Sequence, residues 1–205
     1  SNPDRHLICF GTETTIGTTS TQDPMFIRWS DQDDYNSWTP SATNSAGSQR
    51  VTGGSKIVTA VSTRGQILFL TDTSAHGMSF IGAPFTFGFQ KLGTNCGAVS
   101  PHCAVDISGI IYWMSSDGFY MFDGTVRKMP CSVEDFVFDN IDTTQLEQVY
   151  AGSNSAFGEV IWFYCSTASN QIDRYVIFNY QENLWYTGSL DRSTWIDSGT
   201  YSLPY

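Results

Sequence analysis

Charged residues are scarce in this sequence, and basic residues are scarcer than acidic ones. Charged residues form 15% of the 205 residues, below the roughly 25% that is usual in globular proteins. Ten Lys and Arg stand against twenty Asp and Glu, which gives a net charge of -10. Only Arg127 and Lys128 are adjacent basic residues. Because a static grip on phosphates needs clustered Lys and Arg, this composition argues against sequence-specific DNA binding.

Long apolar runs are also absent. Runs such as residues 160–165 are far shorter than the roughly 20 residues that a membrane-spanning helix needs, so we expect no membrane span. The opening residues, SNPDRHLICF, have no long apolar core after a basic start, and this predicts no signal peptide.

Histidine is rare, which limits catalytic functions. Of three histidines, His76 follows Asp72 and Ser74 in the sequence TDTSAHG, which suggests a serine, histidine and aspartate site. The sequence has no G-x-S-x-G elbow, and we expect residues two and four apart in a turn not to form a triad. We therefore predict no catalytic residue.

Metal and phosphate motifs are incomplete. His102 with Cys96 and Cys103 gives too few ligands at an irregular spacing for zinc. The GGSK stretch at residues 53–56 lacks the order of a phosphate loop and precedes a strand. One turn is rich in side chains with oxygen ligands, Asp31, Asp33, Asp34 and Asn36. It lacks the glycine and the closing glutamate of a calcium-binding EF-hand. We expect no metal and no cofactor.

Cysteines are odd in number and show no C-x-x-C spacing. A pair between Cys96 and Cys103 is left open, but the pattern favours small buried side chains in a reducing environment. The five are Cys9, Cys96, Cys103, Cys131 and Cys165.

Short aromatic strands closed by Asp, Asn or Gly turns recur along the chain. Residues 26–40, 110–124 and 173–185 each follow this plan, which is typical of all-β architectures. Four strands over about forty residues form a unit the size of one propeller blade. The predicted strands are residues 6–10, 26–29, 57–63, 66–71, 77–81, 85–90, 103–107, 110–115, 119–122, 126–129, 148–152, 159–165, 174–180 and 185–189, with one more beginning at 195–197.

The fold prediction is therefore an all-β, β-propeller-like chain with about four blade-like antiparallel repeats and one short helix. The helix would begin at residues 132–135 with a Ser-x-x-Asp cap and turn Val133, Phe136 and Val137 inward. Residues 85–90 would place Phe85, Phe87 and Phe89 on one face. Residues 1–205 would form a single domain, or a portion of a larger propeller protein.

Two polar stretches have no regular period and are predicted as loops. A connection as long as residues 41–54 in a compact domain is either functional or an assembly contact, and residues 166–171 form a second exposed tip. The candidate assembly contacts are Ser41, Asn44, Gly47, Gln49, Arg50, Ser166, Ser169 and Asn170.

Four collinear segments together resemble the tail nozzle family of short-tailed bacteriophages, also called tail tube protein B or packaged-DNA stabilisation protein. They are FIRWSDQ with SWTPSATNSAGSQR (residues 26–50), FLTDT with MSFIGAPFTFG (69–88), IYWMSSDGFYMFDG (111–124) and DRYVIFNY with LWYTG (173–188). The resemblance implies a structural protein of the virion tail that forms a six-fold ring, retains the packaged genome and conducts it at ejection. It also implies contacts with tail adaptor and fibre proteins, and passage of double-stranded DNA without specific binding.

Two other functions remain as alternatives. A glycan-binding propeller module would expose several Trp or Tyr side chains on one face with carboxylates beside them. A sialidase-type hydrolase would need paired carboxylates and an arginine cluster in one pocket, with Asp72, Asp117 and Asp123 as the available turn carboxylates.

Overall fold

The computed structural model describes residues 5–191 and 195–197, which fold almost entirely into antiparallel β-sheets. Four sheets of three or four strands and one α-helix confirm the all-β, propeller-like prediction of about four blade-like repeats. The chain divides into two compact units, Ser1–Gly97 and Ala98–Tyr205. Within the described part of the chain, no helix is long and apolar enough to cross a membrane.

The first unit holds a three-stranded sheet and a four-stranded meander, ordered β1-β2-β3 and β4-β5-β6-β7. All neighbouring strands are antiparallel. Short turns join those of the meander, whereas long loops join β1, β2 and β3, and a 3-10 helix lies in the loop after β1. The strands are β1 Ile8–Phe10, β2 Phe26–Trp29, β3 Gly47–Arg50, β4 Ile57–Ser62, β5 Ile67–Thr71, β6 Ser74–Gly82 and β7 Thr86–Thr94; the 3-10 helix is Thr19–Thr21.

The core of the first unit is built from both of its sheets. Ile27 and Trp29 from β2 pack with Phe69, Met78 and Phe87 from the meander. The Trp29 and Phe87 rings meet edge to face with centroids 5.3 Å apart, a favoured aromatic geometry. This packing fixes the inner faces of the two sheets and leaves their opposite edges to form surface clefts.

The second unit has the same plan, with two four-stranded sheets ordered β8-β9-β10-β11 and β12-β13-β14-β15. A helix and a 3-10 turn connect the two sheets. The elements are β8 Ala104–Ile107, β9 Ile110–Ser115, β10 Gly118–Phe122, β11 Val126–Lys128, α1 Glu134–Asn140, the 3-10 turn Leu146–Gln148, β12 Tyr150–Asn154, β13 Glu159–Tyr164, β14 Arg174–Asn179 and β15 Leu184–Ser189.

Trp162 on β13 is the centre of the second unit's core. It is fully buried, and its ring centroid lies 4.8 Å from that of Phe119 and 6.1 Å from that of Trp185. Its indole N–H donates to the carbonyl of Cys103 at 3.0 Å. The hydrogen bond satisfies the one polar atom of a buried indole, so Trp162 fastens the two sheets of this unit together.

Residues 41–54 were predicted to form a loop, and this prediction is wrong for Gly47–Arg50, which form strand β3. The sequence Gly-Ser-Gln-Arg has no apolar alternation, yet it pairs in register with β2, from Trp29 opposite Gly47 to Phe26 opposite Arg50. The backbone hydrogen bonds of an edge strand need no apolar side chains. Conversely, residues 195–197 were predicted to begin a strand and form none.

The helix and the predicted phenylalanine face need similar corrections. The residue before α1 is Val133, and no side chain caps the helix, so Ser132 does not form the predicted cap. Val137 is buried, but Phe136 is 56% exposed rather than turned inward. Phe85 is 72% exposed because Thr86, with φ at 63°, turns the chain before the strand pattern begins.

Candidate functional site

The first candidate loop is held together by its own polar side chains. Asn44 accepts a hydrogen bond from the backbone N–H of Ser41 at 2.9 Å and donates to the carbonyl of Thr39 at 2.9 Å. Asn44 therefore shapes the loop from within. Ser41 is exposed, so it remains available to a partner.

The other candidates from this stretch lie on β3 and have different roles. Gly47 lies directly against the indole of Trp29, so closely that an added Cβ would clash with the ring. Gln49 and Arg50 are exposed, and the Arg50 Nε pairs with the Asp23 carboxylate at 2.6 Å. Gly47 serves core packing, whereas Gln49 and Arg50 face outward.

The second candidate loop is also stabilised by hydrogen bonds of its own side chains. Ser166 is buried, at 1% exposed, and its N–H and hydroxyl both donate to the Asp173 carboxylate, at 2.8 and 2.7 Å. Ser169 is half-buried and bonds to the carbonyl of Gln171. Asn170 is exposed, so it is the accessible member of the three.

Ser74 and His76 are paired, although their placement differs from the predicted turn. Both lie on β6 and point to the same face, with Ser74 Oγ and His76 Nε2 2.9 Å apart. Asp72 instead accepts two hydrogen bonds from Ser55, from its N–H at 2.8 Å and its hydroxyl at 2.5 Å. Ser74 is only 1% exposed. A buried hydroxyl without a carboxylate behind its histidine is not arranged as a nucleophile.

A polar cleft opens beside His76 in the first unit. It has a volume of about 280 Å³ and lies between β3 with the residues that follow it and the strands β6 and β7. In the ladder of the meander, His76 is directly opposite Lys91. We call this the β3–β7 cleft; it is lined by Gln49, Arg50, Val51, Thr52, His76, Phe89, Gln90 and Lys91.

Sequence reasoning missed the β3–β7 cleft because its residues are distant in the chain. The strand register alone places Lys91 beside His76, and no local motif indicates it. Burial lowers the pKa of His76, the positive charge of Lys91 lowers it further, and a hydrogen bond with the Gly53 carbonyl acts in the opposite direction. The imidazole is therefore neutral near pH 7.

The oxygen-rich turn considered for calcium uses its carboxylates structurally. Asp31 accepts hydrogen bonds from the hydroxyl of Ser45 at 2.6 Å and its N–H at 2.8 Å, and these bonds lower the pKa of Asp31. Asp33 pairs with Arg5 at 2.8 Å. Across residues 5–191 and 195–197, no group of three or more His, Cys, Asp or Glu side chains could hold a metal ion.

The turn carboxylates of the second unit are also engaged locally. Asp117 accepts a hydrogen bond from the Tyr120 hydroxyl at 3.2 Å, and Asp123 forms an ion pair with Arg127. Each pairing lies within its own hairpin. These contacts stabilise turns and give neither carboxylate the hydrophobic setting of a general acid.

Half of the six tryptophans are core residues. Trp113 and Trp162 are fully buried and Trp29 is 5% exposed. Trp38 is half-buried and lines a pocket of about 200 Å³ together with Glu13 and Arg28. Nearby in sequence, Tyr35 is 58% exposed, and its carbonyl accepts the indole N–H of Trp38 at 2.8 Å.

The cysteines are all free, so the open question of a bond between Cys96 and Cys103 is settled against it. Both are buried. Burial raises the pKa of the Cys103 and Cys165 thiols, and it raises that of Cys131 to about 11. The thiols therefore remain protonated near pH 7.

Comparison with known proteins adds no assignment. No protein-family model matches the chain, and no curated protein matches it.

Proposed function

We propose that this chain is a non-enzymatic structural component of a bacteriophage tail, a nozzle subunit that surrounds the path of the DNA. The observation that carries the proposal is the pairing of the chain's basic side chains with carboxylates. Several basic side chains are neutralised in place by a carboxylate, in a chain whose net charge is already -10. A conduit needs such a surface, because each phosphate contact would slow the transit of DNA.

The ion pairs occur in both units. Arg5 pairs with Asp33 at 2.8 Å, and Lys128 pairs with Glu134 at 2.9 Å. Arg28 is 7% exposed and donates to two backbone carbonyls, those of Glu13 and Thr14. The adjacent basic pair of the sequence, Arg127 with Lys128, is thus covered by carboxylates on both members.

The resemblance of the four segments makes the proposal more specific. It supports a homo-oligomeric ring, a hexamer in that family, located in the virion tail with adaptor and fibre proteins as neighbours. A ring closes through heterologous contacts, for which Ser41, Gln49, Arg50 and Asn170 are the accessible members of the candidate set.

The location of the chain in virions tests the proposal. An antibody raised against the purified chain is applied to particles of the phage that encodes it, and bound gold is located by electron microscopy. Antibody preabsorbed with the chain is the control. Gold at the distal end of the tail supports the proposal, whereas gold confined to the capsid or absent from all particles contradicts it.

We infer a second candidate, a glycan-binding module, from the surroundings of Trp38. Trp38 lines a pocket together with the acidic residue Glu13 and with Thr12, and an aromatic side chain beside polar residues suits a sugar ring. Its test is a glycan array probed with the chain and with Trp38→Ala. Binding that disappears in the variant favours this candidate, and an array without signal removes it.

A further inference from the structure

We propose that the β3–β7 cleft is a binding site for a phosphate dianion, either inorganic phosphate or the phosphate of a small phosphomonoester. Arg50, Lys91 and His76 line the same cleft, and His76 lies directly opposite Lys91 in the strand ladder. Two primary amides, of Gln49 and Gln90, complete its polar lining. Guanidinium, ammonium and amide N–H groups all donate to the oxygens of an anion.

Lys91 is the second cation of the cleft. Among the residues described, it forms no ion pair, unlike Arg5, Arg127 and Lys128. Arg50 uses its Nε for Asp23, which leaves its terminal nitrogens for a ligand. An ammonium without a counter-ion, beside a fixed guanidinium, attracts an anion that has more than one charge.

The loop after β3 is shaped to hold Lys91 at the opening. Gly53 has φ at 100°, and a Cβ there would lie 3.0 Å from the Lys91 Nζ and 3.0 Å from the Ser74 Oγ. The backbone conformation therefore favours glycine here, and the Lys91 ammonium lies close against it. The site is built by the fold, since β3, its following loop and β7 each contribute.

The buried wall of the cleft holds His76 in place. Its Nε2 lies 2.9 Å from the Ser74 Oγ, and the Ser74 hydroxyl donates to the carbonyl of Gly53. His76 is 5% exposed, and its ring stacks on that of Phe69 at 5.0 Å. The charge that acts on the ring is the ammonium of Lys91 on β7, so an anion bound to Lys91 would favour the protonated ring. Arg50 on β3, paired with Asp23, lines the same cleft.

The isolation of the cleft favours a small ligand over duplex DNA. A duplex requires a track of cations spaced along its phosphates, and the cations that line this cleft are Arg50 and Lys91. A phosphomonoester carries about 1.5 to 2 negative charges at pH 7, and inorganic phosphate also carries more than one, whereas each phosphate of DNA carries one.

Calorimetric titration with inorganic phosphate at low ionic strength tests the site. We expect binding by the full chain and an affinity about tenfold lower for Lys91→Gln, the usual cost of one charge-assisted hydrogen bond. Arg64→Gln is the matched control, because Arg64 is an exposed cation in the turn between β4 and β5; it should bind as the parent does. Circular dichroism checks that Lys91→Gln is folded.

The titration of His76, followed by nuclear magnetic resonance, gives a second readout. It reports on the cleft itself rather than on the total charge of the chain. Phosphate should raise the pKa of His76 in the parent chain, and the rise should be largely lost in Lys91→Gln. The proposal is overturned if phosphate does not bind, if Lys91→Gln and Arg64→Gln weaken binding equally, or if a short DNA duplex binds where inorganic phosphate does not.

Discussion

At the scale of single residues, His76 shows how a buried polar group links the fold to pH. Its partner Ser74 and the stacked Phe69 ring occupy the space that water would need. Because burial is the main cause of its lowered pKa, the folded protein favours the neutral ring more than the unfolded chain does.

This linkage gives a prediction for stability. As pH falls below about 6.5, the usual histidine value, the unfolded chain takes up a proton before the folded chain does, so the free energy of unfolding decreases. His76→Gln removes this contribution. We expect urea denaturation between pH 7.5 and 5 to show a smaller loss of stability for His76→Gln than for the parent.

His102→Gln controls for the removal of a histidine that is exposed rather than buried. If both variants lose stability with pH as steeply as the parent, His76 is not the linked group and its environment has been misassigned.

At the scale of elements, β3 demonstrates how a polar strand depends on its neighbour. Gly47 lies under the Trp29 ring, and Gly47→Ala would force that ring out of its packing. Overpacking of this kind costs about 1–3 kcal/mol. We expect urea denaturation to show that loss for Gly47→Ala and less than about 0.5 kcal/mol for Gln49→Ala, at an exposed position of the same strand. Equal effects would contradict the packing role of Gly47.

The strands that the sequence predicts well are those with aromatic and β-branched residues. Residues 26–29 and 110–115 have the predicted bounds because their apolar residues are bounded by turn residues that end the pattern. β3 is not predictable in this way, since its polar side chains carry no period and only pairing with β2 creates the strand.

The candidate site was less predictable than the fold. The loop residues were selected for polarity, which does not distinguish an outward contact such as Asn170 from an internal strut such as Ser166. The β3–β7 cleft depends on the register that places His76 beside Lys91. Register arises from long-range pairing, so a local motif search does not find it.

At the scale of the whole molecule, charge pairing should govern the response to DNA. Asp123→Asn combined with Glu134→Gln would release Arg127 from its ion pair and leave Lys128 only the looser pair with Asp117, at 3.9 Å. We expect the parent to leave a short duplex unretarded in a gel at low salt, and the double variant to retard it, with the retardation lost as salt is added.

The control for that experiment keeps the same net charge. Asp135→Asn with Asp139→Asn also removes two carboxylates, from exposed positions of α1 that pair with no cation in the described part of the chain. If this control binds DNA as well as the double variant does, total charge rather than pairing determines the behaviour.

The protonated state of the thiols affects how fast they are oxidised or alkylated. Oxidants and alkylating agents react with thiolate, and a thiol with a pKa of about 11, as at Cys131, is ionised in roughly one molecule in ten thousand at pH 7. Cys131 should therefore react slowly with such reagents while the protein is folded, and become reactive on unfolding.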